Sequence, residues 1–207
     1  MIKAVIFDMD GVLIDAKDWH YEALNKALGL FGYEISRYEH LTIYDGLPTK
    51  KKLEMMSVVS GLSSGLHSFI NEMKQHYTMD MIYAQCKPRF IHEYALSKLD
   101  AAGYKLAVAS NSVRLTVETM MQKSRLEQYL DLMLSNEDVK KAKPDPEIYT
   151  KAIGHFGFLP AECLVVEDNE NGILAAKASG AHLLEVKEVT DVTYQNIMKR
   201  IKEIEEA

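Results

Sequence analysis

Polar side chains that could carry out chemistry lie in four short segments of the sequence, three of them directly after an apolar run. Asp8 and Asp10 follow the first apolar run, and Glu167 and Asp168 end a later one. Like charges ~4 Å apart repel by roughly 4 kcal/mol at an effective dielectric of about 20, so carboxylates brought together must bind a cation or take up protons. Oxygen ligands alone favour Mg²⁺, which usually shares its coordination with a substrate phosphate.

The other two segments offer groups that suit phosphate oxygens. Ser110 and Asn111 follow another apolar run, and Lys143 begins the sequence KPDP. Any one of these residues alone is usually a turn or helix-capping residue. Beside the carboxylates, however, the lysine and a divalent cation would together offset enough negative charge to admit a phosphate dianion.

Five short apolar runs predict the strands that must position these residues. They span residues 3–9, 104–110, 131–135, 162–168 and 181–186. Continuous apolar runs of this length are typical of strands buried on both faces of a parallel sheet. Between them lie segments with helical apolar spacing, at 89–102, 113–129, 145–157 and 170–179, and three of these are followed by Gly103, Gly157 and Gly180 as C-terminal stops. Ligands bind beyond the carboxyl ends of the strands in such sheets, so the carboxylates meet there if strands one and four are neighbours.

One long stretch interrupts this alternation. Between Asp15 and about Pro88 no run resembles a strand, whereas helical patterns cover residues 19–32, 49–61 and 64–77. An unstructured loop of that length is implausible in a compact fold, so we predict a helical insertion that acts as a cap or lid. The predicted fold class is α/β, a Rossmann-like parallel sheet core with an inserted small α-helical cap domain. The core comprises residues 1–14 and 88–207, with a closing amphipathic helix at 194–207, and the cap comprises residues 15–87.

Composition and charge exclude several classes of protein. The 207 residues are 47% hydrophobic and 26% charged, which excludes a disordered chain, and a net charge of −6 without a basic block argues against nucleic acid as a partner. No apolar run approaches the ~20 residues that cross a bilayer, and Asp8 and Asp10 interrupt the N-terminal run, so we expect neither a signal peptide nor a membrane partner. Cys86 and Cys163 are far apart in apolar surroundings, which indicates packing residues rather than a disulfide or zinc site. We expect a cytoplasmic monomer.

The four segments and their order resemble the motifs of a known family. DMDGV (8–12), Ser-Asn after the second strand, KPDP (143–146) and EDNENGILAAKASGA (167–181) are similar to the four motifs of the haloacid dehalogenase superfamily of phosphotransferases. The resemblance covers the whole chain. The insertion directly after the first motif is similar to the cap of the subfamily that contains β-phosphoglucomutase, phosphoglycolate phosphatase and small sugar-phosphate phosphatases.

This resemblance implies roles for the two N-terminal aspartates. Asp8 would be the nucleophile that becomes an aspartyl phosphate. Asp10 would protonate the leaving oxygen and then deprotonate the attacking water. The spacing agrees, because residues two apart in an extended segment point to the same side and can reach one phosphorus.

The resemblance also implies the ligands of the metal and of the phosphate. Mg²⁺ would be held by Asp8, the Asp10 carbonyl and Asp168, with Glu167 in an outer position or reaching through water. The residues expected to bind phosphate are Gly11, Ser110, Asn111 and Lys143.

The chain departs from its relatives at two positions. Many relatives have Ser or Thr where this chain has Ala16. In the cap, Thr49 stands where β-phosphoglucomutase presents an arginine that grips a second phosphate, and Lys50 follows it. The alternative interpretation of this segment is a solvated helix start with Thr49 as N-cap and Lys51 and Lys52 exposed. The candidate substrate residues of the cap are His20, Thr49 and Lys50.

The sequence therefore predicts a Mg²⁺-dependent phosphatase that acts on a small phosphorylated metabolite, a sugar or polyol phosphate. A phosphomutase of the β-phosphoglucomutase type is the nearest alternative, but Arg37 is the only arginine between Asp15 and Pro88 and lies away from the expected position. Phosphonate-cleaving relatives use a cap lysine that forms a Schiff base, and haloacid-cleaving relatives lack the equivalent of Asp10, so both activities are disfavoured. A non-catalytic binding protein on the same fold is the alternative from another class.

Overall fold

The computed structural model describes residues 1–44 and 46–206 and falls into two compact units. The first, called the sheet unit below, comprises Met1–Asp15 and Lys87–Ala207; the second, called the helical unit, comprises Ala16–Cys86. The domain boundaries predicted from the sequence, after residues 14 and 87, each differ from these by one residue.

Five parallel strands form the sheet. They are β1 (Ala4–Phe7), β2 (Lys105–Ala109), β3 (Leu132–Leu134), β4 (Cys163–Glu167) and β5 (His182–Glu185), in the order β3-β2-β1-β4-β5. Phe7 at the end of β1 is level with Val108 in β2 and Val166 in β4. Strands one and four are therefore neighbours, as the convergence of the carboxylates requires. The α/β fold class is confirmed.

The α-helices among the described residues belong to one unit each. Those of the helical unit are α1 (Lys17–Gly29), the short α2 (Arg37–Glu39), α3 (Thr49–Val59) and α4 (His67–Gln85). Those of the sheet unit are α5 (Phe90–Ala101), α6 (Arg114–Lys123), α7 (Glu147–Phe156), α8 (Glu170–Ser179) and α9 (Tyr194–Glu205). Within the described ranges no helix combines the length and apolar character needed to cross a membrane.

The core of the sheet unit explains why the strands read as continuous apolar runs. Every residue of β1 and β4 is buried, because helices cover the sheet and leave neither strand face to water. One cluster packs Ile6 and Val165 against Ile148 and Ile153 of α7 and Ala175 of α8. Burial of this apolar surface fixes β1 and β4 against α7 and α8.

Helix ends follow the glycine signals in part. Gly157 and Gly180 adopt left-handed conformations with φ of 68° and 79° directly after α7 and α8, as predicted. The predicted helix 113–129 is too long: α6 ends at Lys123, because Arg125 takes a φ of 60° that a helix does not tolerate. The predicted helix 64–77 is too short, since α4 continues to Gln85.

The helical unit has an apolar core of its own. Leu24 and Leu28 of α1 pack with Leu53 of α3 and Ile70 of α4. The side chain of Asn25 donates to the Ile35 carbonyl at 2.8 Å and accepts from the Ile35 N–H at 2.9 Å, which ties down the chain after α1. These contacts place the predicted cap residues on a folded scaffold.

Candidate active site

The loop after β1 holds both N-terminal aspartates at the carboxyl end of the sheet. The Asp8 N–H donates to the Val166 carbonyl at 3.0 Å, which extends the pairing of β1 with β4 by one residue. Gly11 has a φ of 89° and donates its N–H to the Ile14 carbonyl at 2.7 Å. A side chain would strain this turn, so glycine is required. The turn keeps half-buried Asp10 beside the strand end.

One buried lysine connects the first and last of the predicted segments. Lys143 donates from Nζ to Asp8 Oδ1 at 2.6 Å and to Glu167 Oε1 at 2.7 Å. All three side chains are almost inaccessible to solvent. Burial lowers the pKa of the Lys143 ammonium, but the charges of Asp8 and Glu167 outweigh that effect, so the pKa is raised and the lysine is charged.

Asp8 responds differently to the same surroundings. Burial raises the pKa of its carboxyl group, Lys143 lowers it, and the charges of Glu167, Asp168 and Asp10 raise it again. The net result is a pKa well above the usual range of an aspartate. Burial is the largest of these causes, and the neighbouring carboxylates add to it, so a further cation would stabilise the ionised form of Asp8.

The donor set fits a divalent metal ion. Asp8, Glu167 and Asp168 each offer one carboxylate oxygen, and these oxygens lie within 4.8 Å of one another. Hard oxygen donors of this kind suit Mg²⁺, which proteins usually bind through one or two carboxylates. The excess of carboxylates over cationic side chains supports the same assignment.

A close packing arrangement fixes Glu167. Its Oε1 accepts from Lys143 and, at 2.6 Å, from the hydroxyl of Tyr149 on α7. Its Oε2 accepts from the backbone N–H groups of Asp168 at 3.0 Å and Asn169 at 3.3 Å. A Cβ at Gly172 on α8 would overlap this carboxyl group, so only glycine leaves room for it.

The Ser-Asn segment after β2 positions other groups of the site. Asn111 accepts from the Lys143 N–H at 3.1 Å through Oδ1 and donates to the Lys143 carbonyl at 3.4 Å through Nδ2. Its side chain thereby holds the lysine backbone. Ser110 accepts from the Ser112 N–H at 3.0 Å, and the Ser112 hydroxyl donates to Asp10 Oδ2 at 2.9 Å.

No role was predicted from the sequence for three of these residues. Tyr149 and Gly172 fix Glu167, and Ser112 holds Asp10. Ser112 stands two residues after Ser110, and this spacing was the available signal. Gly172 lies within the fourth motif, residues 167–181, and that membership was its signal. Tyr149 looks like any core residue of an apolar helix face, so the sequence offers no comparable signal for it.

The candidate substrate residues lie in the helical unit. His20 on α1 accepts at Nδ1 from the Lys74 ammonium on α4, at 3.2 Å. Lys50 is exposed in the first turn of α3. Two details differ from the solvated-start interpretation. Thr49 is the first helical residue and Pro48 is the N-cap; Lys52 is buried, with 7% of its surface exposed, because it lies on the same side of α3 as Leu53 and Met56.

Comparison with known proteins identifies the family. The sequence model of the haloacid dehalogenase-like hydrolases matches residues 5–186. The chain belongs to this family. The family membership predicted from the four motifs is therefore confirmed. The prediction that the protein is an enzyme of the haloacid dehalogenase type is confirmed as well.

Individual haloacid dehalogenase relatives cover almost the whole chain. A phosphorylated carbohydrates phosphatase of Thermotoga maritima is 28% identical over 220 residues, covering 98% of this chain and 100% of the relative. A fructose-1-phosphate phosphatase of Escherichia coli is 25% identical and covers 88% of this chain and 95% of the relative. The crystal structure of a β-phosphoglucomutase from Clostridium difficile shares the fold, with a TM-score of 0.86, 21% identity and full coverage of both chains.

Proposed function

We propose that the protein is a Mg²⁺-dependent phosphatase that hydrolyses a small phosphorylated metabolite, a sugar or polyol phosphate, through an aspartyl phosphate at Asp8. The observation that carries the proposal is the buried Lys143 bridging Asp8 and Glu167 beside Asp168 at the strand ends. The relatives named as phosphatases of phosphorylated carbohydrates and of fructose 1-phosphate support the substrate class.

In this proposal Asp8 attacks the phosphorus atom. Lys143 fixes Oδ1 of Asp8, so the carboxylate is oriented before substrate arrives. The same ammonium, with Ser110 and Asn111, stabilises the charge that spreads over the phosphoryl oxygens in the transition state. Gly11 donates its N–H within the loop, and its contact with phosphate stays a prediction.

Asp10 performs the proton transfers. The Ser112 hydroxyl holds its Oδ2, and its half-buried position keeps it accessible to the leaving group and then to water. It first donates a proton to the leaving oxygen and later accepts one from the attacking water. A second residue for this task is unnecessary, because the first step leaves Asp10 as the base that the second step needs.

Asp8 and Asp168 would hold Mg²⁺ through their carboxylates, and Asp10 through its backbone carbonyl. The ion supplies positive charge that offsets the phosphate dianion and the carboxylates. We further propose that His20, Thr49 and Lys50 of the helical unit contact the organic part of the substrate and choose it.

The test is a screen of some tens of phosphorylated metabolites for release of inorganic phosphate, with and without divalent cations. Chelation should abolish activity, Mg²⁺ should restore it, and Ca²⁺ should inhibit, because its larger and looser coordination misplaces the nucleophile. Full activity in excess chelator would contradict the proposal. An isomerised sugar phosphate that forms with little free phosphate and needs a bisphosphate activator would identify a mutase instead.

A further inference from the structure

Tyr149 touches the charged part of the site without belonging to any of the four motifs. It is fully buried on α7, and its hydroxyl donates to Glu167 Oε1 at 2.6 Å. The Lys143 ammonium lies 4.6 Å from the centre of its ring, a cation–π distance. Tyr149 thus contacts both partners of the buried lysine–glutamate pair.

The hydrogen bonds of Glu167 account for its whole accepting capacity. An ionised carboxylate has about four lone-pair sites. Lys143 and Tyr149 take those of Oε1, and the N–H groups of Asp168 and Asn169 take those of Oε2. A metal ion could bind Glu167 only if one of these donors were displaced.

Glu167 lies close enough to the other carboxylates for its full set of hydrogen bonds to affect metal binding. One of its oxygens lies within 4.8 Å of oxygens of Asp8 and Asp168, so the three could share one ion. Three of its four donors are fixed by other requirements. Two are backbone N–H groups at the start of α8, and the third is the lysine that also holds Asp8. Of the two side-chain donors described, Lys143 also holds Asp8, whereas the Tyr149 hydroxyl serves Glu167 alone.

We propose that Tyr149 is a positioning residue that sets the metal preference of the site by keeping Glu167 out of the coordination shell. The inference rests on the proposed function in that the site binds a divalent cation. With Glu167 occupied, the ion takes two carboxylates and keeps several waters, as Mg²⁺ prefers. With the hydroxyl removed, Oε1 becomes available as a third carboxylate ligand, and added oxygen ligands favour Ca²⁺, which takes six to eight.

The experiment compares Mg²⁺ and Ca²⁺ binding to the full chain without substrate by isothermal titration calorimetry. Tyr149→Phe keeps the ring beneath Lys143 and removes only the hydroxyl. We expect the ratio of the Ca²⁺ to the Mg²⁺ association constant to rise at least ~5-fold over the original protein, because selectivity between these ions follows ligand number. Tyr129→Phe, before β3 and so at the opposite end of the parallel sheet, is the control and should leave the ratio unchanged.

The outcomes separate the inference from the proposed function. An unchanged ratio in Tyr149→Phe would overturn the role of Tyr149 while leaving the metal requirement intact. Failure of the original protein to bind either ion would overturn the metal requirement and the inference together.

A second measurement needs no variant and therefore holds even if Tyr149→Phe does not fold. Water-proton relaxation of the Mn²⁺-loaded original protein counts the waters on the ion. About three should remain if Asp8, Asp168 and the Asp10 carbonyl are the protein ligands of an octahedral ion. About two would show Glu167 already coordinated and would contradict the inference.

Discussion

Lys143 illustrates how single residues determine this site. A buried charge costs several kcal/mol of desolvation unless a partner and hydrogen bonds offset it. Lys143 provides that partner for two carboxylates, Asp8 and Glu167, at once. The backbone of Lys143 is in turn held by hydrogen bonds to the Asn111 side chain. The lysine and the two carboxylates therefore stabilise one another, and removing the lysine leaves two buried acids without their cation.

Lys143→Met tests that design. The substitution should lower the free energy of unfolding by about 3–5 kcal/mol in chelator, as when one partner of a buried ion pair is removed. Mg²⁺ should stabilise the variant more than the original protein, because Asp8 and Glu167 regain a neighbouring cation. Denaturant unfolding with and without Mg²⁺ measures both effects. Lys105→Met, which breaks the half-exposed pair with Asp131, is the control and should cost far less, because solvent screens an exposed ion pair. Equal losses in the two variants would argue against a buried network.

The raised pKa of Asp8 makes metal binding depend on pH. The carboxyl group holds its proton to a higher pH than an ordinary aspartate, chiefly because it is buried. Mg²⁺ must displace that proton, so its affinity should rise as the pH rises through the pKa of the metal-free protein. Calorimetry in buffers of different ionisation enthalpy, over a series of pH values from acidic to neutral, should show proton release on binding that declines as the pH rises. Binding without proton release throughout the series would show that Asp8 is already ionised.

At the scale of elements, α8 is shaped to accept the carboxyl group that ends β4. Gly172 lies in the first turn of α8, where a Cβ would overlap Glu167. Asp168 and Asn169, directly before α8, supply the N–H groups that bind Oε2. Strand end and helix start therefore form one binding unit for Glu167, and α7 adds Tyr149 from its own first turn.

Gly172→Ala should disrupt this unit. The added methyl group must displace Glu167 or α8, at a cost of about 1–3 kcal/mol in the free energy of unfolding and with loss of the Lys143 geometry and hence of turnover. Gly154→Ala in α7 is the matched control, since nothing lies within 4 Å of its Cβ. It should stabilise the protein by up to ~1 kcal/mol and leave turnover unchanged. Thermal unfolding and phosphatase assays of the two variants measure these effects. Equal stability and turnover of the two variants would contradict the close packing of Gly172 on Glu167.

The sequence predicted these elements well where the signal was local. Helix α8 matches its predicted range, residues 170–179, because a strand end and Gly180 bound it closely. The end of α6 was missed, because the positive φ of Arg125 is imposed by the fold and not by a glycine. The extent of α4 was also missed, since residues 78–85 mix polar and apolar types and only Thr78 and Ile82 among them are buried.

At the scale of the whole molecule, the proposed function divides chemistry and substrate recognition between two units. The charged residues of the proposed mechanism lie in the sheet unit, and the proposed substrate residues His20, Thr49 and Lys50 lie in the helical unit. The motif residues were predictable because their types and spacing carry the chemistry. The roles of Tyr149, Gly172 and Ser112 were not, because these residues act by contacts that exist only after the strands and helices have assembled.

Lys50→Ala tests the role of the helical unit. Lys50 is exposed at the start of α3, and we expect its loss to raise the KM for the preferred substrate roughly 3- to 10-fold, the equivalent of one charged contact. The rate with p-nitrophenyl phosphate, which lacks the polar groups of a sugar, should change little. Lys51→Ala removes the neighbouring lysine, which lies 3.8 Å from Glu54, and serves as the control with an unchanged KM. An equal effect of Lys50→Ala on both substrates would assign Lys50 a structural role.

Covalent catalysis at Asp8 is the central claim, and mass spectrometry of acid-quenched protein tests it most directly. The Asp10→Asn variant should accumulate one phosphoryl group on the peptide that contains Asp8 when it is incubated with Mg²⁺ and p-nitrophenyl phosphate, whose leaving group needs no protonation. The attacking water then lacks its base, so hydrolysis of the intermediate is delayed and turnover falls at least ~10²-fold below that of the original protein. The phosphoryl group should be absent from Asp8→Asn and from chelated samples. Substantial turnover by Asp8→Asn, or turnover by the original protein through a phosphoryl group carried on a different residue, would contradict the account.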